Sequence, residues 1–228
     1  MTPHVIDCVL FDLDGTLVDT APEIADAINA TLRRLGRGAV PAAQVRDWIG
    51  QGTRETLRKA LEHAAVPGSD GAALDAAWPG FELDYGETCG TCSALYPGVR
   101  PGLERLRAQG RRLALVTNKE GAFAHRVLAR HELCAHFDVV VAGDSLPVRK
   151  PDPAVVRHVI QTLGVDPRET LLVGDSAADV ELARRAGIAV WAVRYGYHRG
   201  ELTGRLRPDR WVDRIDVVAD LPQRIAIA

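Results

Sequence analysis

The stretch Val5-Ile-Asp-Cys-Val-Leu-Phe-Asp12-Leu-Asp14-Gly-Thr16 changes character at a single residue. Up to Phe11 it is apolar and β-rich, which reads as a buried strand. From Asp12 it turns polar, with the Asp and Gly residues that build tight turns. The run Val9 to Phe11 does not alternate, and a strand apolar on both sides suits a parallel sheet covered on both faces. The same rhythm returns at Leu113 to Val116, Val139 to Ala142, Leu171 to Val173 and Ala189 to Val193. Helical patterns, among them Gly121 to Arg130 and Ala154 to Leu163, separate these runs. The fold class predicted is α/β, a doubly wound parallel sheet with a Rossmann-like core.

Between residues 20 and 85 no strand-like run occurs. Ile24, Ile28, Leu32 and Leu35 recur at helical spacing before Gly36, then Val45, Trp48, Ile49, Leu57 and Leu61 continue, with breaks at Gly50 and Gly52. This segment predicts an inserted α-helical cap domain. The expected division is an α/β core of residues 1–17 and 88–228 and a helical cap of residues 18–87.

Composition narrows the function classes. The 228 residues are 46% hydrophobic and 25% charged, with 28 basic and 30 acidic side chains, a net charge of -2. That balance gives no electrostatic reason to expect nucleic acid or an anionic membrane as partner. The cluster of Arg105, Arg107, Arg111 and Arg112 fits the solvated face and exit of a helix. There is no basic-then-apolar leader layout and no stretch near the roughly 20 apolar residues of a membrane span, so a cytoplasmic protein, monomeric or homodimeric, is expected. Four cysteines are too few for a disulfide-built fold, and Cys89-Gly-Thr-Cys92 has no second pair to complete a zinc site. His131 and His136 stand five apart, roughly 140° from each other on a helix, which is not a metal-binding spacing.

Three strand candidates end in chemistry-bearing residues: Asp12 and Asp14 on the first, Thr117 and Asn118 on the second, Asp175 on the fourth with Asp179 four residues on. Ligands bind outside the carboxyl ends of an open parallel sheet, so these groups should converge on one crevice. Asp12 and Asp14, two apart, project to the same side of an extended segment. Such carboxylates repel unless a cation or shared proton holds them. With Asp175 as a third carboxylate and only oxygen ligands on offer, a hard cation is implied, and Mg2+ fits best. Asp179 would sit one helical turn behind Asp175 and support it. Lys150 would add a fixed positive charge in a loop stiffened by Pro151, and Thr117 a hydroxyl donor to a phosphate oxygen. The set provides a nucleophile, an acid/base, a metal cradle, a cation and a donor for a small phosphate ester.

With these residues in view, the sequence resembles the haloacid dehalogenase superfamily. Its four motifs occur in order as Asp12-Leu-Asp14-Gly-Thr-Leu, Val116-Thr117-Asn118, Lys150-Pro-Asp-Pro and Gly174-Asp175-Ser-Ala-Ala-Asp179. The resemblance implies that Asp12 forms an aspartyl phosphate while Asp14 protonates the leaving oxygen and later deprotonates water. It also implies Mg2+ held by the Asp12 carboxylate, the Asp14 backbone carbonyl and Asp175, and phosphate bound by Thr117, Asn118 and Lys150. The dehalogenase branch lacks the second aspartate, so Asp14 points to phosphate chemistry. Asp19-Thr-Ala-Pro-Glu, Tyr96-Pro-Gly-Val, Val116-Thr-Asn-Lys, Gly143-Asp-Ser-Leu and Tyr195-Gly-Tyr resemble the phosphoglycolate phosphatase branch. His198 and Ala177-Ala178 depart from that branch's usual form. Arg54, just after the Gly50-Gln-Gly52 break, is expected to pair with a carboxylate or second anion of the substrate.

Other readings of the same chemistry are a sugar-phosphate phosphatase and a phosphosugar mutase, the latter returning the phosphoryl group to its substrate. From another class, a signalling receiver also phosphorylates an aspartate beside Mg2+. Such a domain is typically half this length, lacks a helical cap and carries its phosphoacceptor on a later strand.

Overall fold

A computed structural model describes residues 6–197, 200 and 202–220. In chain order its elements begin with β1 (Cys8–Phe11), β2 (Val18–Asp19), α1 (Ala21–Arg34), α2 (Ala42–Arg46), α3 (Thr53–His63) and α4 (Ala72–Thr88). They continue with β3 (Ala94–Leu95), α5 (Val99–Ala108), β4 (Arg112–Val116), α6 (Gly121–Arg130) and β5 (Val139–Val141). Then follow α7 (Ala154–Leu163), β6 (Thr170–Gly174), α8 (Ala177–Ala186), β7 (Ala189–Val193) and β8 (Arg210–Val212).

Six strands form one sheet in the order β5-β4-β1-β6-β7-β8, every neighbouring pair parallel. The opening stretch is thus a central strand, with Phe11 level with Leu115 on one side and Val173 on the other. Its lack of alternation has the predicted cause. Val9 and Phe11 enter one apolar layer with Leu113, Leu115, Leu171 and Val173. Cys8 and Leu10 enter the opposite layer with Ala114, Val116 and Leu172. Helices α5 and α6 cover the first layer through Leu103, Leu106, Phe123 and Val127; α7 and α8 cover the second through Val155, Val159 and Leu182. Each such side chain, fully buried, stabilises the fold by about 1.5–3 kcal/mol before entropy is subtracted.

Helices α1 to α4 form the cap. Ile24, Ile28, Leu32, Leu57, Leu61, Phe81 and Tyr85 are buried and continuous with the first apolar layer, so the cap rests on one side of the sheet. Where the chain leaves and re-enters the core, β2 pairs antiparallel with β3, Val18 against Leu95 and Asp19 against Ala94. Neither two-residue strand, nor the three-residue edge strand β8, carries enough residues to show a period, and the sequence reading has none of them. Among the described residues no helix is long and apolar enough to cross a membrane. The arginine cluster is tied down by carboxylates: Arg105 by Asp220, Arg107 and Arg112 by Asp138, Arg111 by Asp7. Val5 and His198, both used in the sequence reading, lie outside the described residues.

Candidate active site

The parallel arrangement delivers the expected groups to one edge. Asp12 follows β1 directly, and its N–H continues the ladder to the Val173 carbonyl at 3.0 Å. Asp175 follows β6, and Thr117 follows β4 with its N–H on the Val141 carbonyl. Lys150 arrives from the loop after β5, in a cis peptide bond with Pro151.

Lys150 Nζ lies 2.8 Å from Asp12 Oδ1 and 2.8 Å from Asp179 Oδ1. All three are buried. One oxygen each from Asp12, Asp175 and Asp179 lie within 4.8 Å of one another. Burial, reinforced by Asp179 and Asp14 and opposed by Lys150, pushes the Asp12 carboxyl up to about 7. Burial, with Asp12 and Asp179 adding to it, pushes Asp175 well above the usual carboxylate range. Burial works against the charge of Lys150, but the two aspartates outweigh it and hold its pKa above the ordinary lysine range.

The supports of these groups are local and identifiable. Ser176 caps α8, accepting the Asp179 N–H, while Asp179 Oδ2 accepts the N–H of Ser176 at 3.0 Å and its hydroxyl at 2.6 Å. Asp179 is therefore a capping-box residue whose other oxygen holds Lys150. Asp175 accepts the Thr16 hydroxyl at 3.0 Å and the Tyr197 N–H at 2.6 Å. Gly15, at φ 84°, fits because a Cβ there would stand 2.4 Å from Asp175 Oδ2.

Asp14 takes a second position. Its carboxylate accepts the Thr20 hydroxyl at 2.5 Å and lies 2.9 and 3.1 Å from Lys119 Nζ. Lys119 is buried, with its nitrogen 5.0 Å from the centre of the Tyr85 ring of α4. Burial opposes its charge; Asp14, Cys89 and Glu23 together outweigh burial and raise its pKa. The sequence reading assigned Lys119 no role, although its spacing of two from Thr117 was the available signal. Thr16, Tyr197 and Glu120 were also missed, since each acts through a partner distant in sequence, and Thr20, whose hydroxyl reaches Asp14 six residues back, carried no signal of its own.

The cap closes the other side. A narrow cavity, about 10 Å3 of free volume, separates Asp12, Asp14, Thr117, Asn118 and Lys119 of the core from the cap. The cap contributes Ile24, Ile49, Gly50, Gly52, Thr53 and Thr56. Glu120, on the core, accepts the Thr53 and Arg54 N–H groups at 3.3 Å each, and the Thr53 hydroxyl. It thereby caps α3, whose own N-cap residue is glycine. At Gly52, φ 94°, a Cβ would approach the Asn118 carbonyl to 2.9 Å.

Two expected residues stand differently. Asn118 Nδ2 donates to the Gly50 and Lys150 carbonyls at 3.0 and 3.2 Å. Both side-chain N–H donors are thus spent on backbone, and the amide ties the cap loop to the lysine loop. The Arg54 guanidinium pairs with Asp75 and lies 5.1 Å from the Trp78 ring centre. It does not line the cavity, because the helix places its backbone N–H, not its side chain, toward the core. Cys89 is buried, and burial pushes its thiol up to about 11; Cys92 is exposed.

The same fold and sequence pattern recur among known proteins. Residues 9–193 match the family model described as haloacid dehalogenase-like hydrolase, and the chain belongs to that family. It is 43% identical over 198 residues to a phosphoglycolate phosphatase of Nitrosospira multiformis, covering 87% of each chain. It is 44% identical over 226 residues to a plasmid phosphoglycolate phosphatase of Cupriavidus necator, covering 96% of this chain and 95% of that one. The crystal structure of a predicted phosphoglycolate phosphatase from Haemophilus somnus superposes with a TM-score of 0.87 at 32% identity, covering 94% of this chain and 97% of that one.

Proposed function

We propose that the protein is a Mg2+-dependent phosphatase that hydrolyses a small phosphate monoester, 2-phosphoglycolate, through an aspartyl phosphate on Asp12. The observation that carries this reading is the buried Asp12 carboxylate held beside both Lys150 and the Asp175–Asp179 pair. The donor set fits the metal: three buried carboxylates, oxygen ligands alone, and a single lysine, which cannot neutralise all three. Asp12, the Asp14 backbone carbonyl and Asp175 would hold the ion, with Asp179 behind them. Bound there, it supplies positive charge that lets a phosphate dianion approach a carboxylate.

The chain's own residues do the rest. Asp12 Oδ1 is fixed by the Leu13 N–H at 2.7 Å and by Lys150, leaving Oδ2 to attack phosphorus as the ester P–O bond breaks. Thr117 and Lys150 hold the phosphoryl oxygens. Asp14, turned from Lys119 and carrying the proton taken from water in the preceding turnover, gives that proton to the departing oxygen. It then takes a proton from the water that attacks phosphorus, and inorganic phosphate leaves with Asp12 restored. The cap, residues 18–87 in this reading, opens to admit the ester and closes through Glu120 and Asn118 to exclude bulk water.

The test is phosphate release from a panel of small phosphate esters, with and without Mg2+. Phosphoglycolate should rank at or near the top, with activity lost on chelation and one phosphate freed per ester consumed. A flat panel would defeat the substrate assignment, and sub-stoichiometric phosphate would indicate a mutase.

A further inference from the structure

The leaving group of phosphoglycolate is a carboxylic acid, so a site selective for it must recognise a second negative charge close to phosphorus. Arg54 is engaged elsewhere, by Asp75 and Trp78. Within the cavity wall the cation beside Asp14 is Lys119, whose side chain is fully buried. Asp14 and the Tyr85 ring, at 5.0 Å, lie against its ammonium, and Glu23, which accepts the Tyr85 hydroxyl at 3.1 Å and the Gly90 N–H at 2.7 Å, adds a negative charge nearby. An ammonium has three donors. Asp14 lies within reach of two of them, at 2.9 and 3.1 Å, and the aromatic face takes another side. When Asp14 turns to the departing oxygen, the donors it held are free for a ligand in the cavity.

We propose that Lys119 is the specificity-determining residue for the leaving group, pairing through Nζ with a carboxylate borne one carbon from the ester oxygen. This rests on the phosphatase reading above and adds the group that selects the acid. Several observations favour it over a counter-ion role alone. Lys119 lines the same cavity as Asp12, Asp14 and Thr117, and its ammonium touches Asp14, the residue that serves the leaving oxygen in this reading. The cap contribution to that cavity consists of isoleucine, glycine and threonine side chains, which hold no charge to bind an anion. A buried cation also acts through low dielectric, where an unsatisfied charge is costly. An ester with a neutral leaving group would leave part of this cation unpaired and bind less well.

The experiment compares kcat/KM for 2-phosphoglycolate and its neutral carboxamide in wild type, Lys119→Met and Lys119→Gln, all with Mg2+. Wild type should favour the acid. In both variants kcat/KM should fall for either ester through the lost contact with Asp14, but about 10- to 100-fold further for the acid, as expected for a charge-assisted hydrogen bond. Equal losses on acid and amide would mean that Lys119 only positions Asp14, and would overturn the assignment. If Lys119→Met does not fold, Lys119→Gln retains polarity without charge and gives the same comparison. A wild type that favours the amide overturns the phosphoglycolate reading and this inference together. A wild type that favours the acid, with variants that keep the preference undiminished, overturns the Lys119 assignment alone.

Discussion

The two walls of the cavity are built on opposite principles. The core wall presents the charges of Asp12, Asp14 and Lys119, backed by those of Lys150, Asp175 and Asp179. Each carboxylate is held by at least one hydrogen bond or ion pair: Asp12 and Asp179 by Lys150, Asp175 by Thr16 and Tyr197, Asp14 by Lys119 and Thr20. The cap wall is uncharged, with Ile24 from α1, Thr53 and Thr56 from α3 and Ile49 beside a loop of two glycines, and hydrogen bonds at Thr53 and Gly50 join it to Glu120 and Asn118 of the core. The core wall is suited to chemistry, which needs fixed charges in a site of low dielectric. A wall without charge leaves no unpaired ion of its own behind when it parts from the charged one. Selection of the substrate's charge then falls to the core as well, through Lys119.

The largest effect should come from the core wall. Asp12→Asn keeps the shape and an acceptor for the Leu13 N–H, and Lys150 keeps its contact with Asp179. The fold should survive while the nucleophile is gone. Phosphate release should fall by about four orders of magnitude or more, on the scale of losing an essential nucleophile. Substantial residual Mg2+-dependent turnover would show that the charged wall supports catalysis without Asp12 as nucleophile.

A smaller effect separates the walls by pH. In the metal-free protein Asp12 has its carboxyl pushed up to about 7 in the folded state, from 3.8, and Asp175 is also raised. Between these values the folded chain keeps protons that the unfolded chain releases. Stability from this source is therefore full below the unfolded value and is lost as pH rises through the folded one. In urea unfolding with a chelator, wild type should be less stable at about pH 7.5 than at about pH 5, and Asp12→Asn should show a shallower decline. Mg2+ should stabilise wild type more at the higher pH, where it replaces no protons. Equal slopes for the two proteins would mean that Asp12 is ionised throughout, and that Lys150 suffices to neutralise it.

The walls also differ in how far the sequence disclosed them. The core wall was legible because strand ends announce themselves: an apolar run stops at Asp12, another at Thr117, another at Asp175, and parallel topology carries all three to one edge. Lys150 followed from its place after a strand. Lys119 did not stand out because a lysine is ordinarily a surface residue, and only folding places it against Asp14 and Tyr85. In the cap, helical periods gave α1 and α3, but no period reports a contact made by a backbone N–H. Glu120 caps a helix 66 residues earlier in the chain, and Asn118 spends its amide on two carbonyls. Arg54 poses the same difficulty. A residue at a helix start shows its side chain and its N–H to different places, and the sequence cannot say which of them faces the site.

Arg54 therefore gives the smallest expected effect and the closest test of the division between walls. Its guanidinium is 40% exposed and its partner Asp75 71% exposed. An ion pair so placed contributes about 0–1 kcal/mol, and the contact with Trp78 about 0.5–1 kcal/mol. Its N–H to Glu120 is a backbone group that substitution keeps. Arg54→Ala should thus shift the KM for phosphoglycolate by less than about twofold while lowering stability by at most about 1–2 kcal/mol. A KM raised about tenfold, with kcat kept, would mean that uniform binding energy was lost. Arg54 would then have to leave Asp75 and swing into the cavity when substrate binds, placing anion recognition in the cap and leaving Lys119 as the partner of Asp14 alone.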